Sequence, residues 1–284
     1  MISGKTKVVG LIGDPVKHSV SPSMQNAAFR KLGLDYVYVP FNVEKDSLQS
    51  ALSGLKALKV RGVNVTIPHK SSVMDHLDEI EEPAKKIGAV NTIKREGQLL
   101  KGFNTDGIGA RSALKEKIDE LKDKNIVILG AGGAARAISF TLAEKGANLT
   151  ISNRTTSKAE ELVLEIKKKV GGKVKQIPQD RKRLKEELED SNILINSTSV
   201  GMHPDKDETI LTAKEMHSDL TVMDIVYNPP KTHLLKEAEK AGAKTISGLG
   251  MLVHQGATSF KIWTGRKAPV QTMKKSAKKV LEGK

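Results

Sequence analysis

Val127-Ile128-Leu129-Gly130-Ala131-Gly132-Gly133-Ala134-Ala135 decides the reading of the fold. Three consecutive branched apolar residues predict a short buried strand. The glycine cluster behind them predicts a tight turn opening into a helix, because a helical run continues through Lys145. Strand, glycine turn and helix in that order form a dinucleotide-binding pattern. Gly130 permits the turn, Gly132 lets the main chain approach a pyrophosphate, and the small Ala135 lets helix and strand pack closely. Ala131, Gly133 and Ala134 complete the turn, with backbone N–H groups at the helix start facing the phosphates.

The end of the next strand reads Ser152-Asn153-Arg154-Thr155, with Lys158 one helical turn on. A site for NAD usually places a carboxylate there, on the ribose 2′-hydroxyl. Here Arg154 offers a planar fork of donors to a 2′-phosphate, Thr155 offers a hydroxyl that also suits a helix cap, and Lys158 adds charge. NADP is the expected cofactor.

Outward from the glycine turn, further strands are predicted at Asn148–Ser152, Val174–Ile177, Ile193–Asn196 and Thr221–Ile225, with helices from Gly133, Thr155 and Asp180. Upstream, a helix with Leu114, Ile118 and Leu121 on one face begins near Asp106. Before it lies a separate alternation: a strand over residues 8–13, a helix from Pro22 capped by Ser21, a strand Tyr36–Phe41, a helix Asp46–Leu58 and a strand Gly62–Ile67. A hairpin turns at Glu96-Gly97. Alternating strands and helices predict a mostly parallel sheet covered by helices. Two α/β domains are therefore expected with a cleft between them, residues 1–105 for substrate and 106–246 for the dinucleotide. Residues 247–284 form two C-terminal helices that return to the first domain.

Composition narrows the function. There is no cysteine, which excludes disulfides and thiolate chemistry. No stretch reaches the roughly 18 apolar residues of a membrane span, and Met1–Lys7 lacks a signal pattern, so a cytoplasmic protein without a membrane partner is expected. The formal net charge is +14, but aromatic residues are only 3%, too few for base-stacking platforms. Lysines such as Lys115, Lys117 and Lys167–Lys169 read as solvated helix faces rather than a nucleic-acid surface. His69, His203 and His254 lack metal-ligand spacing, so no metal is expected.

Two clusters carry ionisable groups beyond strand ends, where ligands of such sheets gather. One is Asn64-Val65-Thr66-Ile67-Pro68-His69-Lys70; a strand does not continue through Pro68, so Lys70 emerges past its end. The other is Asn91-Thr92 followed by Asn104-Thr105-Asp106-Gly107.

These clusters, together with Ser19-Val20-Ser21-Pro22, Gly88–Thr92, Gly102–Gly107, Gly130–Ala135, Asn153–Thr155, Asn196–Met202 and Gly248–Gly256, resemble the shikimate dehydrogenase family in content and order. The resemblance spans nearly the whole chain. It implies NADP-dependent, reversible reduction of 3-dehydroshikimate to shikimate, a step of aromatic amino acid biosynthesis. It implies Lys70 and Asp106 as the catalytic pair, and Ser19, Ser21, Thr66, Asn91, Tyr227 and Gln255 as substrate contacts. Gly248 and Met251 would lie toward the cofactor, Met251 near the nicotinamide. An ammonium beside a carbonyl that accepts hydride stabilises the developing alkoxide and donates a proton. Ser19 and Ser21, two apart, point the same way if the backbone is extended. The resemblance leaves open a dual-specificity quinate/shikimate dehydrogenase using NAD or NADP, a non-catalytic sensor, and a monomer or homodimer.

Overall fold

The computed structural model describes residues 2–283, which fall into two compact units. The first comprises the residues up to Asp106 together with those from Val253 onward, and the second is Gly107–Leu252. Both are α/β. Among the described residues no helix is long and apolar enough to cross a membrane.

In the first unit, β1 (Lys7–Gly13) leads through a turn into α1 (Ser21–Lys31), β2 (Tyr36–Asn42), α2 (Leu48–Ala57) and β3 (Gly62–Val65). Then follow β4 (Glu79–Ile80), α3 (Glu82–Ile87), β5 (Thr92–Glu96) and β6 (Leu99–Phe103). The six strands form one sheet in the order β2-β1-β3-β5-β6-β4. Pairs β1–β2, β1–β3 and β4–β6 are parallel, while the hairpin runs antiparallel to β3 and within itself. The sheet is therefore mixed, because a two-residue turn can only return the chain antiparallel. One face packs on a core that includes Ile12, Leu52, Val63, Val73, Ile93 and Leu100.

The second unit opens with α4 (Asp106–Lys115) and continues through β7 (Asn125–Leu129), α5 (Gly133–Ala143), β8 (Asn148–Ser152), α6 (Thr156–Lys169), β9 (Val174–Ile177) and α7 (Arg181–Leu188). It closes with β10 (Ile193–Asn196), β11 (Thr221–Asp224), α8 (His233–Lys240) and β12 (Lys244–Ile246). All pairs are parallel, in the order β12-β11-β10-β7-β8-β9. This is the doubly wound arrangement with its topological switch point between β7 and β10. Strands such as Ile193–Asn196 are buried throughout, as sheets covered on both faces require.

Finally α9 (Gly248–Thr264) runs from the second unit into the first, and α10 (Val270–Leu281) follows it. The Trp263 indole N–H donates to the Ile93 carbonyl at 2.9 Å, Phe260 stacks on Phe29 with ring centroids 5.0 Å apart, and Ser276 meets Ser23 at 2.8 Å. These contacts fasten the C-terminal helices to the first sheet and to α1.

Several expected boundaries move. Val20, in right-handed helical conformation, caps α1 in place of Ser21, and the Ser19 hydroxyl accepts the Ser21 N–H at 3.3 Å. Helix α4 stops at Lys115, so Ile118 and the buried Leu121 pack from the turn beyond it rather than from the helix. Strand β3 ends at Val65, because Thr66 turns and its carbonyl accepts the His69 N–H at 2.9 Å.

Candidate active site

The polar edge of the first unit is built by three chain segments meeting at strand ends. After β3 the chain turns, and the buried His69 ring anchors the turn through Nε2 to the Val43 carbonyl at 2.7 Å. The Lys70 carbonyl accepts the Val90 N–H at 2.7 Å, which brings the Lys70 segment beside the residue preceding Asn91. The hairpin does the rest: Thr92 opposes Phe103, and the Asn91 N–H donates to the Phe103 carbonyl at 3.0 Å. Asn91 and Asn104–Asp106 therefore leave the hairpin at the same end.

There Lys70 Nζ lies 2.5 Å from Asp106 Oδ2, with side chains 18% and 6% exposed. Asn91 Nδ2 donates to the other carboxylate oxygen of Asp106 at 2.8 Å and to Thr105 Oγ1 at 2.9 Å, while its own oxygen accepts the Thr105 N–H at 2.8 Å. The Asp106 N–H is held by Asn104 Oδ1 at 3.0 Å. Gln255, on α9, places Oε1 within 3.5 Å of both Asn91 Nδ2 and Thr105 Oγ1. A partly buried cation thus sits against a carboxylate whose second oxygen is already occupied. An ammonium has three N–H donors, and the bond to Asp106 uses one of them.

Behind this layer lies a second one of buried hydroxyls and amides. Asn64 Nδ2 donates to Thr92 Oγ1 and to Ser259 Oγ, both at 3.0 Å, and its oxygen accepts the Tyr38 hydroxyl at 2.9 Å. Thr92 and Ser259 are 2.8 Å apart. Thr92 and Thr105 belong to the polar cluster read from the sequence but carry no assigned role there, and Ser259 lies outside it. Ser259 stands four residues after Gln255 and so shares its helix face, while Asn64 is a polar residue in an otherwise apolar buried strand. Those were the available signals.

Of the sequence-derived candidates, Lys70, Asp106, Asn91 and Gln255 come together. Thr66 is half-buried beyond β3, and Ser21 is buried at the start of α1. The conformation of Val20 turns the chain between Ser19 and Ser21, so the extended arrangement expected for them is not what forms.

In the second unit, Gly130 has φ +113°, a conformation that favours glycine. A side chain there would also meet Ser197 Oγ at 2.9 Å. At Gly132, which precedes α5, the space a Cβ would occupy is open, so main chain is presented bare at a helix N-terminus. Bare main chain at a helix N-terminus fits a pyrophosphate. Gly133 opens α5 with Ala134 behind it, Ala131 completes the turn, and Ala135 is fully buried against the sheet. At the end of β8, Asn153 Nδ2 holds the Thr155 carbonyl at 2.9 Å. Thr155 caps α6 by backbone conformation alone, without the expected side-chain bond. Arg154 and Lys158 are exposed. The residues present fit a dinucleotide carrying a 2′-phosphate. Tyr227 is half-buried after β11, while Gly248 and Met251 are buried in the first turn of α9.

One unit with a parallel doubly wound sheet and a bare glycine turn, and another with a mixed sheet carrying a lysine–aspartate pair, define the class: a two-unit α/β oxidoreductase. Three family models match consecutive parts of the chain: the shikimate dehydrogenase substrate binding domain over residues 11–93, shikimate / quinate 5-dehydrogenase over 112–247, and the shikimate 5′-dehydrogenase C-terminal domain over 248–278. The shikimate dehydrogenase (NADP(+)) of Methanopyrus kandleri is 52% identical, covering 97% of this chain and 96% of its own length. That of Methanocaldococcus jannaschii is 54% identical, with coverage of 96% and 97%. A crystal structure of a shikimate dehydrogenase in complex with NADP+ superposes with a TM-score of 0.93 at 51% identity, over 99% of this chain and 98% of the other. The chain belongs to the shikimate dehydrogenase family.

Proposed function

We propose that this chain catalyses the reversible NADP-dependent reduction of 3-dehydroshikimate to shikimate. The observation that carries the reading is the Lys70–Asp106 pair at 2.5 Å, locked by Asn91 at a strand-end edge of the first unit. NADPH, when bound, supplies the hydride. Everything else falls to the chain's own residues. Lys70 Nζ donates a proton to the C3 oxygen as that oxygen gains charge, and Asp106 holds the ammonium in place. In the reverse direction a neutral Lys70 takes the hydroxyl proton. Asn91 and Gln255 present paired donors and acceptors suited to vicinal hydroxyls, with Thr66 beside them and Ser19, Ser21 and Tyr227 toward the carboxylate. Gly130–Ala134 and Gly248 receive the dinucleotide backbone, Arg154, Thr155 and Lys158 the 2′-phosphate with Asn153 shaping their turn, and Met251 lies toward the nicotinamide. The domain reading keeps residues 1–105 for substrate, 106–246 for NADP and 247–284 as helices completing the first, in a cytoplasmic protein.

The test is NADPH or NADH formation by the purified chain, with shikimate or quinate crossed against NADP or NAD. Turnover with shikimate and NADP alone supports the reading. Comparable rates with quinate or NAD place the chain on the dual-specificity side of the shikimate / quinate 5-dehydrogenases. Binding without turnover in any combination overturns catalysis in favour of a sensor.

A further inference from the structure

Asp224 ends β11 with no exposed surface, and the three groups that donate to it are all neutral. Asn196 Nδ2 and the Val226 N–H both reach Oδ1 at 3.0 Å, and the Thr232 hydroxyl reaches Oδ2 at 2.7 Å. Burial pushes the carboxyl up from 3.8 to about 6, against the opposing pull of those three hydrogen bonds. An enclosed carboxylate with no cation beside it is costly. A parallel strand needs none in order to end. What the carboxylate holds therefore explains its presence.

It holds the loop after β10. Asn196 turns its amide nitrogen to Asp224, which aims the amide oxygen at Thr198, whose N–H donates at 3.1 Å and whose hydroxyl donates at 2.7 Å. Thr198 Oγ1 in turn accepts the Val200 N–H at 3.1 Å. Ser197, between them, gives both its hydroxyl (2.6 Å) and its N–H (2.9 Å) to the Leu129 carbonyl. Leu129 directly precedes Gly130, whose backbone lies so close to Ser197 that a Cβ there would stand 2.9 Å from Oγ. The path runs from Asp224 through a planar amide to the glycine turn, across the switch point between β10 and β7 where dinucleotides bind in such sheets.

We propose that Asp224 is a positioning residue for the cofactor: through Asn196 it holds the Ser197–Val200 loop against the Gly130 turn, and so fixes the floor of the NADP site. This rests on the NADP reading above. The simpler role, anchoring Thr232 at the start of α8, predicts no effect on NADP affinity in a folded variant.

Isothermal titration calorimetry with NADP, and separately with shikimate, on the full chain separates the two. Asp224→Ala and Asn196→Ala should each raise the NADP Kd on the order of ten-fold, about 1.4 kcal/mol, with shikimate affinity unchanged. Asp224→Asn keeps an oxygen toward Asn196 and should recover most of the affinity. The double variant Asp224→Ala/Asn196→Ala should be little worse than either single one, as expected for two links of one path. Should Asp224→Ala not fold, Asn196→Ala carries the test, because it leaves the Val226 and Thr232 bonds intact. Wild-type NADP affinity in a cooperatively melting Asn196→Ala protein overturns the proposal. So does an equal loss in Asp224→Asn and Asp224→Ala, which would assign the effect to charge. A wild-type chain that binds no NADP overturns the cofactor reading and this inference with it; wild-type binding with unaffected variants overturns only the role of Asp224.

Discussion

The two units hold their functional side chains in opposite ways. In the first, Asp106, Asn91 and Thr105 are buried, Lys70 is partly buried, and the four are bonded to one another, with Asn64, Thr92 and Ser259 behind them. In the second, the glycine turn offers bare main chain and Arg154 and Lys158 stand in solvent. The difference follows from what each must recognise. In the proposed function Lys70 is a proton donor, which has to be fixed relative to one atom, so its neighbours are fixed too. A phosphate is met by backbone N–H groups and by long cations, which need reach more than rigidity. Asp224 is where the second unit adopts the style of the first.

The largest test of this contrast is Lys70→Ala. Turnover should fall about 10²–10⁴-fold while the NADP Kd stays near wild type, read by steady-state kinetics beside calorimetry; a variant retaining most of its rate would remove Lys70 from the mechanism. Asn91→Ala should damage stability as well as rate. It strands an oxygen of Asp106 and the Thr105 N–H, and each stranded buried group costs about 1–3 kcal/mol, measurable by urea unfolding. An unchanged midpoint would show the network to be loosely held.

Asp224→Asn sharpens the contrast through pH. The folded-state pKa of Asp224 is raised, to about 6 from 3.8, so between those values the folded chain binds more protons than the unfolded one. Its stability relative to Asp224→Asn should therefore fall as pH rises from about 4 to about 6, by at most about 3 kcal/mol, and level off above. A gap independent of pH would contradict the burial of an ionised group there. The smallest effect is expected at Arg154→Gln. NADP preference over NAD should drop about ten- to hundred-fold, the worth of charge-assisted hydrogen bonds, with stability within about 0.5 kcal/mol of wild type. An unaltered preference would shift the 2′-phosphate to Thr155 and Lys158.

The contrast also governs what the sequence could reveal. The glycine turn, the cations after β8 and the parallel strands were legible because each is a local pattern: a run of apolar residues, a glycine cluster, charges at a fixed offset. Lys70 and Asp106 were legible as groups just past strand ends. Their layering was not, because Asn64, Thr92 and Ser259 meet only through long-range packing that no spacing encodes. The short β4, the single-residue shift of the α1 cap to Val20 and the early end of α4 escaped for a related reason. Tertiary contacts override weak local preference at element boundaries. Asp224 read only as one residue of the strand Thr221–Ile225, since its cost and its use both depend on Asn196 of β10 and on Thr232 at the start of α8.

The fastening of Trp263 to Ile93, and of Ser259 to Thr92, has a consequence for synthesis. Chains grow from the N-terminus, and domains fold as units while they emerge. The strands of the dinucleotide sheet are complete once β12 has left the ribosome, yet the first unit still lacks the helix that supplies Gln255, Ser259 and Trp263. The first unit, begun before the second, is thus finished after it. A nascent chain halted before α9 would carry its cofactor sheet while the scaffold around Lys70 and Asp106 still waited for Gln255, Ser259 and Trp263, so the surroundings of that pair are completed only once α9 has emerged.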